Sequence, residues 1–342
     1  CTSQAEESER CSCSGNRRPA RARAARIWVL KDETTGADIP LVCRICREQP
    51  CVVACPSGAL GTALLPAGNE ALRVDRAACS GCGRCVEACP YGAIDLDMPV
   101  REVVLNVGAI VWATGWEPYD AAKIGYYGFG RYPNVITNVM MERLAAPNGP
   151  TQGKIVRPSD GKPVEKVAFI QCAGSRDENH LPFCSAVCCL ASLKEATYVL
   201  EQNPGAQVYI FFIDIRALGR LEDFYNKVKE YPGITLVKGK AGEITEDPET
   251  KDLIVTAENQ VTQTIMKERF DLVVLATGMA PATREEKAPF DLAYDLNGFV
   301  LGDQQVPGIV GAGCCTAPMD VAGCVQDATA AALKAIQATV GR

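Results

Sequence analysis

Cysteine is the residue type with the most chemistry to offer in this chain, with 18 among 342 residues against a single histidine, His180. Haem and most catalytic zinc sites lean on imidazole, whereas iron–sulfur clusters need only thiolates, so this balance favours clusters. A secreted, disulfide-stapled protein is the compositional rival. Such chains are usually short, and 47% hydrophobic residues give this one enough material for ordinary cores. The thiols fit a reducing cytoplasm better, and a cytoplasmic chain is expected.

The spacing sharpens the argument. Cys43-x2-Cys46-x4-Cys51-x3-Cys55-Pro56 is followed by Cys79-x2-Cys82-x2-Cys85-x3-Cys89-Pro90. The second run has the bacterial ferredoxin spacing, and the first differs by two residues in one loop. In that arrangement three cysteines of a loop hold one cube and the fourth reaches its neighbour. One [4Fe-4S] cluster is therefore assigned to Cys43, Cys46, Cys51 and Cys89, the other to Cys79, Cys82, Cys85 and Cys55. Pro56 and Pro90 suit the turn behind each fourth cysteine, and Gly81 and Gly83 allow close backbone approach to cluster sulfurs. Pro56-Ser57-Gly58-Ala59-Leu60 and Pro90-Tyr91-Gly92-Ala93-Ile94 repeat one another, the mark of a duplicated half. Two structural zinc sites are the alternative, since four-cysteine zinc also uses C-x2-C. Zinc does not require the step into Cys-Pro in both halves.

A third constellation follows: Gln171-Cys172-Ala173-Gly174-Ser175-Arg176-Asp177, then Phe183-Cys184-Ser185-Ala186-Val187-Cys188-Cys189. It is expected at a strand-to-helix turn, where a helix N-terminus favours thiolates. Cys172, Cys184, Cys188 and Cys189 fit a third cluster, and equally fit buried thiols or a redox-active pair. Cys1, Cys11 and Cys13 are too few for a further cluster, and Cys314, Cys315 and Cys324 are read as buried thiols near a cofactor turn. His180, in a polar loop, reads as solvated.

These residues need elements to place them. From Lys166 the pattern alternates: strand 167–171, helix 189–202, strand 207–213, helix 219–231, strand 234–237, then strands 253–257 and 271–276. Such alternation implies a parallel sheet with flanking helices, a Rossmann-like α/β domain. Its first turn lacks G-x-G-x-x-G, so a pyridine nucleotide is not expected there. Gly125, Gly128 and Gly130 sit in an aromatic loop with no preceding strand and do not read as a phosphate cradle. An internal echo is more telling: residues 107–118 and 271–281 are both apolar strands ending in Ala-Thr-Gly-x-x-Pro. Gly115 and Gly278 end those strands beside a potential dinucleotide. Gly311 and Gly313, after strand 307–312 and before a helix over 321–339, form a turn that would suit a pyrophosphate. These four glycines are the candidate dinucleotide contacts.

Composition excludes other classes. Thirty-five Lys+Arg against 41 Asp+Glu leave a net charge of −6, which argues against a general nucleic-acid binder. Mean hydropathy is 0.00, and the longest apolar run, Val208 to Ile215, is broken by Asp214, so no membrane span is expected. Five arginines between Arg17 and Arg26 read as a solvated or partner-facing segment. The chain opens on Cys1 without Met, and residues 1–40 are read as an incomplete N-terminal segment.

At this point the residues carry a resemblance. From about Cys79 onward, the stretches Trp112-Ala113-Thr114-Gly115-Trp116-Glu117-Pro118-Tyr119-Asp120, Cys172 to Glu178 with Cys184 to Cys189, and Ala276-Thr277-Gly278-Met279 resemble the heterodisulfide reductase A family. Within it they resemble the A subunits of quinone-interacting membrane-bound oxidoreductase complexes. Residues 18–60 resemble instead the ferredoxin subunits that serve carbon monoxide dehydrogenase or aldehyde oxidoreductases. The resemblance implies a thioredoxin-reductase-like flavoprotein fold carrying a ferredoxin-like dicluster domain on its N-terminal side, with Cys172, Cys184, Cys188 and Cys189 holding a third [4Fe-4S] cluster. It also implies that the dinucleotide at Gly115, Gly278, Gly311 and Gly313 is FAD. That gives a dicluster domain over 41–98, a partial FAD-type domain from 99–165 and 286–342, and a degenerate Rossmann-like domain over 166–285. The family's N-terminal G-x-G-x-x-G half is missing here. The implied function is an electron-transfer subunit of an anaerobic oxidoreductase complex, quinone-linked and connected to sulfate respiration or heterodisulfide chemistry. Partner subunits, among them a membrane quinone-reactive one, would supply any membrane contact. The rivals are a metal-stabilised docking subunit without redox turnover and a flavin-dependent NAD(P)H oxidoreductase. No catalytic residue is assigned.

Overall fold

A computed structural model describes residues 28–31, 38–41, 49–64, 70–75, 78–90, 92–94, 104–302 and 305–340. Cys1, Cys11, Cys13, Cys43, Cys46 and the arginines from Arg17 to Arg26 lie outside the described residues. The chain divides into two compact units, residues 1–65 with 69–104, and residues 66–68 with 105–342.

The first unit contains β1 (Trp28–Lys31), β2 (Asp38–Leu41), α1 (Pro50–Val53), β3 (Leu60–Leu64), β4 (Glu70–Val74) and α2 (Arg84–Glu87). Two antiparallel pairs, β1 with β2 and β3 with β4, frame it. The duplication seen in the sequence is also a duplication of backbone, at a constant offset of residues. Gln49 and Gly83 take left-handed φ of 42° and 79° just before α1 and α2. Gly58 and Gly92 do so again at 64° and 60°. Their amides close matching turns onto Cys55 O at 3.3 Å and Cys89 O at 3.2 Å.

The second unit continues with β5 (Ile110–Trp112), β6 (Trp116–Pro118), β7 (Val135–Thr137), α3 (Asn138–Ala145), β8 (Lys166–Ala173), α4 (Cys188–Gln202), β9 (Gln207–Phe212), α5 (Leu221–Val228) and β10 (Ile234–Lys238). After these come β11 (Ala241–Glu246), β12 (Leu253–Asn259), β13 (Thr264–Phe270), β14 (Leu272–Thr277), β15 (Met279–Pro281), β16 (Ile309–Gly311) and α6 (Val321–Val340). A five-stranded parallel sheet in the order β10-β9-β8-β14-β7 is its frame. β8 and β14 are almost wholly buried along their length, as expected of parallel strands covered on both faces.

Side chains alternate between two cores. Val167, Phe169, Val208, Ile210, Leu272 and Val274 face Met141 and Leu144 of α3 and Leu193, Ala196 and Val199 of α4. Ala168, Ile170, Phe211, Val273 and Leu275 face the opposite way, onto Ile244, Leu253, Val255 and Phe270. Those last residues belong to an antiparallel meander, β11-β12-β13, inserted between β10 and β14. The strand expected over 253–257 is thus in this meander and not in the parallel sheet. β7 and α3, expected in the FAD-type portion, instead form the sheet's edge and its cover, because Val135, Ile136 and Thr137 are buried against β14.

Three smaller features complete this unit. β5 and β16 pair in parallel, Ile110 with Ile309 and Trp112 with Gly311, and Ala331 of α6 packs with Val310 and Ala312. β6 and β15 pair antiparallel, Met279 with Pro118 and Pro281 with Trp116. Among the described residues no helix is long and apolar enough to cross a membrane.

Candidate iron–sulfur sites

In the first unit the second cysteine run is built on the loop into α2. Gly81 (φ 70°) and Gly83 (φ 79°) curl the chain. The Cys85 thiol is pushed up by burial and, beyond that, by the charges of Cys82 and Cys79, so three thiols expected in one set lie in mutual electrostatic reach. Cys55, assigned to the same cluster, is held below the usual thiol range, first by a backbone hydrogen bond from Leu60 and also by Ser57, whose hydroxyl lies 3.8 Å away. Cys89 Sγ accepts a hydrogen bond from Ala93 N at 3.3 Å. Amide donors to sulfur stabilise a thiolate, and with it a ligated cluster. Of the other assigned set, Cys51 is buried.

In the second unit the site forms where β8 breaks its register. Ile170 pairs with Leu275 but Ala173 with Thr277, so β8 holds one residue more than its neighbour. The extra length is a bulge, and Cys172 in it adopts φ 56°, a left-handed backbone costly for a side-chain-bearing residue. Gly174 (φ 86°), Arg176 (φ 56°) and Ala186 (φ 62°) continue the contorted path. The loop is pinned at several points. Leu181 N donates to Gly174 O (2.9 Å) and Arg176 N to Phe183 O (3.0 Å). Ser175 and Ser185 hydroxyls meet at 2.8 Å, and Met279 N donates to Ser185 Oγ at 2.8 Å. Arg176 pairs with Asp214 at 2.7 Å, and Asp177 with Lys240 at 2.9 Å.

This loop brings Cys172 and Cys184 to the start of α4, where Cys188 and Cys189 are buried. Burial pushes the Cys172 thiol up to about 11, with the charges of Cys189 and Cys184 adding to it and Arg176 opposing. Cys188 is raised further by burial and by all three of its neighbours, and Cys189 is raised by burial and by Cys184. Cys188 Sγ points to Thr277 O (3.9 Å), Cys189 Sγ to Asp214 O (3.8 Å), and Cys184 Sγ accepts from Ala186 N (3.4 Å). Three thiols raised by burial and by the charges of their cysteine neighbours are costly to ionise unless a cation is shared among them, and a cluster core would supply that charge. The buried Gln171 Oε1 next to Cys172 also has no hydrogen-bond partner. The donor set fits a four-cysteine iron–sulfur cluster. Among the described residues, no three His, Cys, Asp or Glu are arranged around a single metal ion.

His180, expected to be solvated, is tied down. Its Nδ1 lies 2.9 Å from Tyr119 Oη, with the two rings edge to face. Sequence spacing gave no signal for this contact, which spans 61 residues.

For FAD the candidate glycines fit only in part. A side chain at Gly278 would strike Leu181 and Ser175, and one at Gly311 would strike Thr316 and Val300, so protein fills both positions. Gly313 N already donates to Asp327 Oδ2 at 2.6 Å. Gly115 is open, with φ 72° and nothing within 4 Å of an added Cβ.

The fold and cysteine geometry define a class, an iron–sulfur oxidoreductase subunit with a Rossmann-like frame. A family model described as a 4Fe-4S binding domain matches residues 72–95. One of the iron–sulfur A subunits of CoB–CoM heterodisulfide reductase from Methanopyrus kandleri is 39% identical over 324 residues, covering 78% of this chain and 49% of that protein. Its counterpart from Methanocaldococcus jannaschii is 39% identical, covering 76% and 41%. The chain belongs to the heterodisulfide reductase A family, and it spans about half or less of the length of these relatives. Thioredoxin reductases from T. acidophilum and Lactococcus lactis match the structure at TM-score 0.44 and 18% identity, covering 68% of this chain and 66% and 67% of theirs.

Proposed function

We propose that the chain relays electrons through three [4Fe-4S] clusters as one subunit of a larger anaerobic oxidoreductase complex. Cys43, Cys46, Cys51 and Cys89 hold the first, Cys79, Cys82, Cys85 and Cys55 the second, and Cys172, Cys184, Cys188 and Cys189 the third. The observation that carries this reading is the bulge of β8, which holds Cys172 in a left-handed backbone beside three thiols at the start of α4. The clusters accept and release single electrons, while the chain sets their spacing, burial and hydrogen bonding. Cys55, with hydrogen-bond donors at its sulfur, favours the thiolate, and Cys89 Sγ accepts the backbone amide of Ala93. Desolvation at Cys172 and Cys188 raises the cost of added charge and tunes the third site differently.

Donor and acceptor belong to partner subunits, as the relatives' names as subunits of heterodisulfide reductases support. In a quinone-linked complex of the kind the sequence resembles, a partner also provides the membrane contact. FAD binding is part of the proposal, with Gly115 its best-placed contact, and no electron step is routed through it.

The test is the metal and flavin content of the anaerobically purified chain. About twelve irons with matching acid-labile sulfide are expected. About eight would confine the clusters to residues 43–89. Zinc without sulfide would overturn electron transfer in favour of a docking subunit, and reduction by NADH would favour the NAD(P)H-linked flavoenzyme.

A further inference from the structure

The three cysteines around the start of α6 do not share one environment. Cys315 is fully buried, and its thiol points to the carbonyls of Trp112 and Ala312, both at 3.1 Å. Cys314 turns elsewhere. Its Sγ lies 3.4 Å from Cys324 Sγ, in the first turn of α6, and 3.4 Å from Met319 O. A disulfide bond is about 2.05 Å long, so joining the two sulfurs needs them to close by only about 1.4 Å.

The segments carrying this pair are held together without the sulfurs. Gly313 N donates to Asp327 Oδ2 at 2.6 Å, and Thr316 Oγ1 lies 3.4 Å from the same oxygen. Asp320 caps the helix start, taking Gly323 N on Oδ1 (2.8 Å) and Cys324 N on its carbonyl (2.9 Å). Gly313, at φ 70°, leaves the space beside Cys324 Sγ clear, since an added Cβ would sit 3.8 Å from that sulfur. The two thiols differ in access: Cys314 is buried and Cys324 half-buried. Burial, and then the hydrogen bond with Cys324, hold the Cys314 thiol up at about 11, which keeps it protonated until its neighbour has reacted.

We propose that Cys314 and Cys324 are a reversible dithiol–disulfide couple, oxidised by an uncharged small-molecule disulfide that exchanges at Cys324. The Cys324 thiolate attacks one sulfur of R–S–S–R, and the first RS⁻ leaves and takes up a proton. Cys314 then loses its proton and attacks Cys324 Sγ, breaking the mixed disulfide and releasing the second RS⁻, which is protonated in turn. Two protein thiols and one R–S–S–R become one protein disulfide and two RSH, with two electrons passed to the small molecule. A dithiol reverses the sequence. The carboxylates of Asp320 and Asp327 beside the pair disfavour an anionic disulfide. The couple shares no residue with the three proposed clusters.

The test uses the full, cluster-loaded chain, bis(2-hydroxyethyl) disulfide as oxidant, acid quenching with N-ethylmaleimide, and mass spectrometry after cleavage before aspartate. A cut before Asp320 separates Cys314 and Cys315 from Cys324. The expected result is one species containing both peptides, split in two by reduction, with Cys315 alkylated. Cys314→Ser should trap the hydroxyethylthio adduct on Cys324, and Cys324→Ser should slow modification of Cys314 at least tenfold. A Cys315–Cys324 link, an adduct on Cys324 with no linked species in the wild type, or thiols untouched by excess oxidant would each overturn the proposal. The wild-type link decides the matter even if a variant fails to fold.

Discussion

Cys188 is buried at the start of α4, its thiol raised by burial and by Cys189, Cys172 and Cys184 together. Serine there keeps the volume and removes the ligand. Cys188→Ser is expected to lose about four of twelve irons, with the paramagnetic signals of the two ferredoxin-type clusters unchanged. Unchanged iron content would mean that these thiols hold no cluster. A different buried group lies two turns further along α4. Glu195 is fully buried, and burial raises its carboxyl well above 4.5, with the charge of Glu142 on α3 adding and Lys194 opposing. The unfolded chain releases this proton near its ordinary pKa while the folded chain keeps it. Stability therefore falls as pH rises from that value towards the folded one, by up to about 1.4 kcal/mol per pH unit. Glu195→Gln removes the penalty, so its gain in unfolding midpoint over wild type should be larger at pH 8 than at pH 5. An equal gain at both would show Glu195 ionised in the folded protein.

The repeated Ala-Thr-Gly-x-x-Pro segments show, at the scale of elements, what sequence could and could not reveal. The echo was visible as text, but its meaning is tertiary. The two copies pair as β6 and β15, and they exchange equivalent bonds, Tyr119 N to Gly278 O (2.8 Å) and Ala282 N to Gly115 O (3.2 Å). The parallel strands were legible because β8, β9 and β14 are apolar runs bounded by turns. β11 and β13 were not, since Glu243, Lys267, Glu268 and Arg269 interrupt any apolar pattern and one face of the meander is exposed. The cysteine runs could be picked out from spacing as candidate ligands, while the bulge at Cys172 and the approach of Cys314 to Cys324 depend on neighbouring segments. Gly278 tests the crossing. An added Cβ would lie 2.4 Å from Leu181 Cδ1 and 2.5 Å from Ser175 Oγ, so Gly278→Ala should cost roughly 1–3 kcal/mol by overpacking and loosen the serine clamp beside the cysteines. Gly125→Ala meets nothing within 4 Å and should change the unfolding midpoint little. Equal midpoints for both variants would show that the crossing is not tightly packed.

For the whole molecule, the two units rest on different sources of order. In the first, the described buried residues are Cys51, Ala59 and Leu60, and α1 and α2 are four residues each, far below the length at which helices persist unaided. Clusters joined to both loops would add to these few described buried side chains, coupling metal binding to folding. The second unit has a five-stranded sheet covered on both faces by extensive apolar layers, which metal loss leaves in place. Stripping iron anaerobically should therefore act unevenly. Hydrogen exchange should rise by orders of magnitude across residues 49–64 and 78–94, and locally across 172–189, where the pinned loop loses its centre. Amides of β9 and of residues 166–170 and 272–275 should keep their protection, because their ladder hydrogen bonds pair strand with strand and involve no proposed cluster ligand. If the central strands lost protection in step with residues 49–64, the clusters would be holding the entire fold, and the apolar layers of the parallel sheet would be insufficient by themselves.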